Sequence, residues 1–344
     1  MPVRAEDFSE MMAVFADAGQ AGAIAVGVSG GPDSMALCRL LCDWAQKHGG
    51  RPVIHALTVD HGLRAESTAE AAQVAAVLAD WPGVTHTILR WEKDEAIQSR
   101  VQERAREARY GLMGAWMDAR EVSHLFLAHH RDDQAETVLF RLAKGSGLDG
   151  LAGMSARQDF ALPGGGGGVL CRPLLGLGKE SLVQLCDELS IPYVMDPSND
   201  SASYSRGRMR KSMEVLGLEG LTSERLFVTA GRLGRAKKAL DEISFKSFEN
   251  NLIENNTKEI VLKFSGLKSC PEEIALRVLL LGMGMVCPGE AYGPRLLRVE
   301  SLLGDLLSDA PFRKRTLGGV VVSRQDKADE IVLALERGRG DVQG

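Results

Sequence analysis

Long apolar runs are missing from this sequence: none approaches the ~20 consecutive residues that a membrane-spanning helix requires. The N-terminal stretch MPVRAEDFSEMMAVFADAG mixes acids into its apolar positions, so it lacks the hydrophobic region of an export signal and reads as a short amphipathic helix. A cytoplasmic protein is expected, with no membrane partner. Cys-x-x-Cys pairs are also missing. The six cysteines (Cys38, Cys42, Cys171, Cys186, Cys270 and Cys287) are scattered through apolar surroundings without the spacing of a zinc or redox motif, as expected of buried free thiols. Positive charge is not in excess: a net charge of −5 argues against a protein that coats nucleic acid without specificity, and leaves only local basic patches to grip one. Two nucleotide-binding signatures are absent as well, since no Gly-Lys-Ser/Thr closes a Walker A loop and no GxGxxG follows a strand.

What is present is an alternation of elements. Ala23 to Val28, Val53 to Val59, Thr85 to Leu89 and His124 to Ala128 are short apolar runs of the kind that form buried strands. Helical stretches separate them, at Met35 to Gln46, Ala65 to Asp80 and Ala96 to Arg120. Such βαβ alternation predicts a parallel sheet with helices on both faces, and ligands then lie beyond the carboxyl ends of the strands. Five consecutive glycines, residues 164–168, predict a surface loop. A helix is expected over 179–189, a turn at Asp196-Pro197, helices at 222–249 and 271–284, and a last pair of β runs at Thr316 to Ser323 and Glu330 to Leu335. The fold class expected is α/β, a doubly wound and mostly parallel sheet, with a smaller C-terminal α+β domain. The boundary is placed at 1–215 and 216–344.

Chemistry concentrates just after two strands. Ser29-Gly30-Gly31-Pro32-Asp33-Ser34 follows the first and opens a helix, so backbone N–H groups and the helix dipole face whatever anion sits there. Asp33 would repel phosphate unless a divalent cation bridges them, which points to Mg²⁺. After the strand ending at Ala128 comes His129-His130-Arg131-Asp132-Asp133-Gln134-Ala135-Glu136-Thr137. Asp132 is placed to cap the following helix, and Asp133, Glu136 and Thr137 fall on one helical face. Asp60-His61-Gly62-Leu63-Arg64 either contacts a nucleotide or turns the chain. Arg104, Arg106, Arg109 and Tyr110 offer a cationic surface on the long helix, or pair with Glu103 and Glu107 as a solvated face.

The loop Ser29 to Ser34 resembles the signature of the N-type ATP pyrophosphatases, the PP-loop enzymes of HUP-like fold. Together with AHHRDDQAET, AREARY (Ala105 to Tyr110), RPLL (Arg172 to Leu175) and DPSND (Asp196 to Asp200), the sequence resembles the tRNA(Ile)-lysidine synthase family over about residues 24 to 211. That resemblance implies a ligase acting on the isoleucine tRNA with a CAU anticodon. ATP adenylates the C2 oxygen of the wobble cytidine with release of pyrophosphate, and free L-lysine then displaces AMP through its ε-amine. It further implies that Ser29, Gly30, Gly31, Pro32, Asp33 and Ser34 bind ATP, that Asp33 and Asp133 hold Mg²⁺, and that Arg109, His129, Asp133 and Glu136 bind lysine, with Arg106 the alternative to Arg109. Where the family shows Arg-Asn after DPSND, this chain has Arg206-Gly207.

Three basic patches free of acids are candidates for tRNA contact or are solvated faces: Arg206, Arg208, Arg210 and Lys211; Arg232, Arg235, Lys237 and Lys238; and Arg313, Lys314 and Arg315. Splaying of the target base out of the anticodon loop is implied. Both a monomer and a homodimer are compatible with the sequence. The rival functions are a tRNA 2-thiolation enzyme, which in its familiar forms needs a Cys pair or an iron–sulfur cluster, and a non-catalytic ATP-binding module.

Overall fold

Period-two alternation decides which side of the first strand faces which helices. In β1 (Ala23–Gly27) Ile24 and Val26 point into one core and Ala25 into another. The computed structural model describes residues 3–62, 67–91, 101–162, 166–194, 205–256, 258–288 and 295–336. On one face of the sheet, α1 (Ala5–Met12), α3 (Pro32–Lys47) and α4 (Ser67–Ala79) bury Phe8, Leu37, Leu41, Val74 and Leu78 against Ile24, Val26 and Ile54. The short helix α2 (Ala16–Gln20) precedes β1. On the other face, α5 (Val101–Asp118) packs Met113, Trp116 and Met117 against Ala25, Leu57 and Leu125. Each such fully buried large side chain stabilises the fold by about 1.5–3 kcal/mol.

The strands β2 (Val53–Asp60), β3 (Val84–Arg90) and β4 (His124–Phe126) run parallel to β1. After β4 come α6 (Arg131–Ala143) and the single turn α7 (Leu148–Leu151), then the hairpin of β5 (Arg157–Ala161) and β6 (Gly167–Cys171). The sheet order is β3-β2-β1-β4-β6-β5, parallel throughout except for β5, which pairs antiparallel with β6 at the edge. This hairpin revises the reading of the glycine run: Gly167 and Gly168 belong to β6. Gly168 is glycine for a packing reason, because a Cβ there would come within 2.7 Å of the Phe160 ring across the strand pair. Below the hairpin, Asp17 accepts two bonds from Arg157, both at 2.7 Å, and contacts His124 Nε2 at 3.0 Å, which fastens β5 to α2. α8 (Lys179–Glu188) and α9 (Ser205–Leu218) follow.

The chain divides into two units, Met1–Gly234 and Arg235–Gly344, and the division falls within α10 (Ser223–Asn251). The second unit contains β7 (Leu252–Asn256), β8 (Glu259–Lys263), α11 (Phe264–Lys268), α12 (Glu272–Val286), α13 (Leu296–Leu307), β9 (Arg315–Leu317), β10 (Val320–Gln325) and β11 (Glu330–Leu335). Its five strands form an antiparallel sheet in the order β7-β8-β11-β10-β9. The β run expected at 316–323 is broken into β9 and β10, because Gly318 and Gly319, at φ +58° and +74°, turn the chain back on itself. Leu279, Met283, Leu302 and Leu306 pack with Ile260, Leu262, Val322 and Leu333 into a separate core. No helix among the described residues is long and apolar enough to cross a membrane.

Arg324 closes the end of α13. Its guanidinium donates to the carbonyls of Leu306 (2.6 Å), Ser308 (2.7 Å) and Ala310 (2.6 Å) and lies over the Phe264 ring. Those carbonyls have no partner within the helix, so a cation is doubly suited to them. Replacing Arg324 with Met keeps the apolar stem but removes the donors to the part-buried Leu306 and Ser308 carbonyls, at about 1–3 kcal/mol for each one left unsatisfied, together with the ion pair to Asp326. The expected result is a fall of several degrees in the melting temperature; an unchanged melting curve counts against the capping role.

Candidate active site

Gly30 sits at φ +88°, a backbone region that favours glycine, and a Cβ on it would approach Val74 Cγ2 to 2.9 Å. The turn after β1 is therefore tight by necessity. Ser34 closes it from within: its hydroxyl accepts from Ser29 N (3.1 Å) and donates to Gly31 O (3.0 Å). Val194 N donates to Gly30 O at 2.8 Å, and Thr58 Oγ1 donates to Val28 O at 2.8 Å, where β1 gives way to the turn. Gly31 caps α3, Pro32 takes its first position, where the missing N–H costs nothing, and Asp33 follows in the first turn. The result is an arc of backbone that opens on a helix N-terminus.

The second cluster starts at β4. Its N-cap is His130, not Asp132 as the sequence suggested: Asp133, three residues on, accepts the His130 N–H at 3.0 Å and completes a capping box. This arrangement turns the buried His130 ring toward the loop. Nε2 lies 3.4 Å from Asp133 Oδ2 and 3.6 Å from Asp33 Oδ2, and Nδ1 lies 3.4 Å from Asp132 Oδ2. Asp33 and Asp133, from two separate sequence motifs, thus flank one imidazole nitrogen. Burial works against charge on that ring, but Asp132, Asp33 and Asp133 outweigh it and raise its pKa to about 10. Nδ1 also accepts the Asp132 amide N–H at 3.2 Å, the second bond of the capping box. The His130 hydrogen bond holds the Asp132 carboxyl below the usual carboxylate range despite burial. Asp33 Oδ1 is buried without a hydrogen-bond partner, an unmet acceptor beside the phosphate-shaped turn.

Other expected residues fall into place differently. Glu136, one turn along α6, is buried, and His129 is half-buried. The Thr137 hydroxyl faces its own helix and donates to Asp133 O at 2.7 Å. Arg109 is exposed and lies 3.3 Å from His61 Nε2; burial, with Arg109 second, lowers the His61 pKa to about 4 and leaves that ring a neutral acceptor. Asp60 serves the turn, accepting from Gly62 N, Ser67 Oγ and Thr68 Oγ1 at 2.8–3.0 Å. Arg106 donates to Tyr110 Oη at 3.2 Å. Arg172 of the RPLL stretch is buried and donates to Ser155 O and Gln158 Oε1. The DPSND stretch (196–200), Leu63 and Arg64 lie outside the described residues, as do the side chains of Glu103, Arg206, Arg208 and Arg210. Lys211, Arg232, Arg235, Lys238, Arg313 and Lys314 are exposed, while Lys237 and Arg315 each form an ion pair at 2.5 Å, with Asp241 and Asp305. Sequence reasoning misses His130 as the N-cap, because the capping-box signature is Ser/Thr-x-x-Glu/Gln and His-x-x-Asp falls outside it.

A profile of the PP-loop domain matches residues 5–215. A tRNA(Ile)-lysidine synthase of Bradyrhizobium sp. (strain BTAi1 / ATCC BAA-1182) is 41% identical over 98% of this chain and 97% of its own. That of Methylobacterium sp. (strain 4-46) is 40% identical over 88% and 87%. The chain belongs to the tRNA(Ile)-lysidine synthase family. Membership extends to Wolbachia sp. subsp. Brugia malayi (strain TRS), whose lysidine synthase is 35% identical across 91% of this chain and 73% of its own. Among solved structures, the U34-tRNA thiolase NcsA from Methanococcus maripaludis with its [4Fe-4S] cluster superposes with a TM-score of 0.53 at 17% identity, over 67% of this chain and 80% of that one, and so shares the fold. In this lysidine synthase family member all six cysteines are free; Cys38, Cys42, Cys171 and Cys186 are buried and Cys270 and Cys287 partly so.

Proposed function

We propose that this chain carries out the reaction of its family: ATP-dependent ligation of free lysine to C2 of the wobble cytidine in the CAU-anticodon tRNA(Ile), with release of pyrophosphate and then AMP. The observation that carries this reading is the convergence of Asp33 and Asp133 on His130 Nε2, at 3.6 and 3.4 Å, directly against the turn Ser29 to Ser34. The turn's N–H groups and the α3 N-terminus suit a triphosphate. Asp33 and Asp133 would hold Mg²⁺, and the buried, unpartnered Asp33 Oδ1 fits such an ion. When bound, the ion neutralises charge on the departing pyrophosphate.

In this reading Glu136 receives an ammonium group of lysine, His129 helps to orient it, and Arg109 or Arg106 receives the carboxylate. Activation precedes attack because the C2 oxygen leaves poorly until it is adenylated. We assign catalysis to residues 1–215 and tRNA contacts to 216–344, with the exposed Arg232, Arg235, Lys238, Arg313 and Lys314 supplying salt-sensitive phosphate contacts. Mass analysis of tRNA(Ile) after incubation with the protein, ATP and lysine tests the whole scheme. The expected product is a tRNA with one lysine joined and one water lost, formed with one AMP. A sulfur adduct, or nucleotide binding with no change in the tRNA, overturns it.

A further inference from the structure

Helix α8 touches both helices that carry the acidic pair without contributing to it. At its N-terminus Lys179 N donates to Asp132 Oδ2 at 3.0 Å, and just before it Leu177 O accepts from Arg131 N at 2.8 Å. Both bonds grip the first turn of α6, which carries Asp133. Two turns further along α8 the buried thiol of Cys186 donates to Pro32 O at 3.4 Å, in the first turn of α3, which carries Asp33. Leu182 and Leu185 of α8 lie in the same core as Met35, Leu37 and Leu41 of α3, so this attachment is packed as well as hydrogen-bonded. Ser223, at the start of α10, adds a further bond to the Asp132 carboxylate. The adjacent aspartates thus divide their work around His130: Asp133 lies with Asp33 at Nε2, while Asp132 lies at Nδ1 and joins the N-terminal turns of three helices.

We propose that α8 is the brace that sets the spacing of Asp33 and Asp133, with Asp132 and Cys186 as positioning residues for the metal–nucleotide site. The inference rests on the reading that those two carboxylates hold a divalent cation together with ATP. Two carboxylates on separate helices, each at the end of a different strand, have no covalent reason to stay at one separation. A rigid element bonded to both helix starts supplies that constraint, and displacements of about 1 Å cost on the order of 100-fold at such sites. Asp132 does this through the Lys179 N–H and the Ser223 hydroxyl, and it also meets the His130 ring at 3.4 Å; an amide oxygen can still accept at each of these places, whereas Asp133 in the metal role needs its charge.

The test is Mn²⁺ binding, followed by electron paramagnetic resonance in the presence of a non-hydrolysable ATP analogue, on the full-length protein and on folded Asp132→Asn, Asp132→Ala, Asp133→Asn and Cys186→Ala variants. The brace predicts that Asp132→Ala weakens Mn²⁺–nucleotide binding by about 10-fold or more, that Asp132→Asn stays within about 3-fold of the parent, and that Asp133→Asn loses binding. Cys186→Ala, which changes no charge, is expected to weaken binding in the same direction even where its melting temperature matches the parent, and it keeps the test open if Asp132→Ala does not fold. Parent-like binding in both alanine variants overturns the brace while leaving the metal pair intact. Loss of binding in Asp132→Asn equal to that in Asp133→Asn also overturns it, by making Asp132 a ligand. Absence of Mn²⁺–nucleotide binding in the parent overturns the metal pair and the brace with it.

Discussion

Replacing Asp133 with asparagine is expected to lower the rate of lysine- and tRNA-dependent AMP formation by about 1,000-fold while leaving the fold standing. The asymmetry follows from the two tasks of that side chain. Its structural task is to accept the His130 N–H at 3.0 Å and close the capping box of α6, and an amide oxygen can still do this. Its proposed chemical task is to present negative charge beside Asp33, and an amide cannot. Loss of a carboxylate that holds a catalytic cation removes about 4 kcal/mol of transition-state stabilisation, and each 1.36 kcal/mol is a factor of ten. Single-turnover AMP release together with a thermal melt checks both halves. Activity within a few-fold of the parent would remove Asp133 from the chemistry.

Gly30→Val should also be strongly damaging, by a different route. Valine at φ +88° is strained, at a cost of about 1–3 kcal/mol, and its Cβ alone would come to 2.9 Å from Val74 Cγ2. The turn must relieve this by moving, and it carries the N–H groups proposed to meet the phosphates. The expected loss in kcat/KM for ATP is about 100-fold or more, and Gly30→Ala should lie between the two because alanine meets the same φ penalty with less bulk. Initial rates across ATP concentrations measure it. Equal kcat/KM values for the three proteins would mean that the turn tolerates rearrangement and does not cradle ATP.

Much of this site is legible in the sequence because it depends on short-range rules. The turn from Ser29 to Ser34 follows a β-branched apolar strand and precedes a helix, so its position on the sheet follows from order alone. Asp133 is likewise placed by the apolar run before it and the amphipathic run after it. Three features escape such reading. The His130 bridge depends on ring orientation, set by a capping box whose donor is a backbone amide. The Cys186 contact with Pro32 spans 154 residues and involves a thiol that looks like any core cysteine in a helix. The β5–β6 hairpin contains glycines that composition assigns to a loop, and only the Phe160 ring across the pair explains Gly168 as a strand residue. In the second unit, short strands such as Arg315–Leu317 carry too few residues for their alternation to stand out, and their place comes from pairing with β10.

A parallel sheet that ended at β6 would offer a row of unused amides and carbonyls to any passing chain. Here β5 folds back over that row, and the new border is only five residues long, with exposed Gln158 and Asp159 on it and Arg157 drawn aside to Asp17. Short, charged and tethered borders are poor templates for recruiting further strands. The hairpin thereby blunts that edge of the first unit's sheet against pairing with further strands.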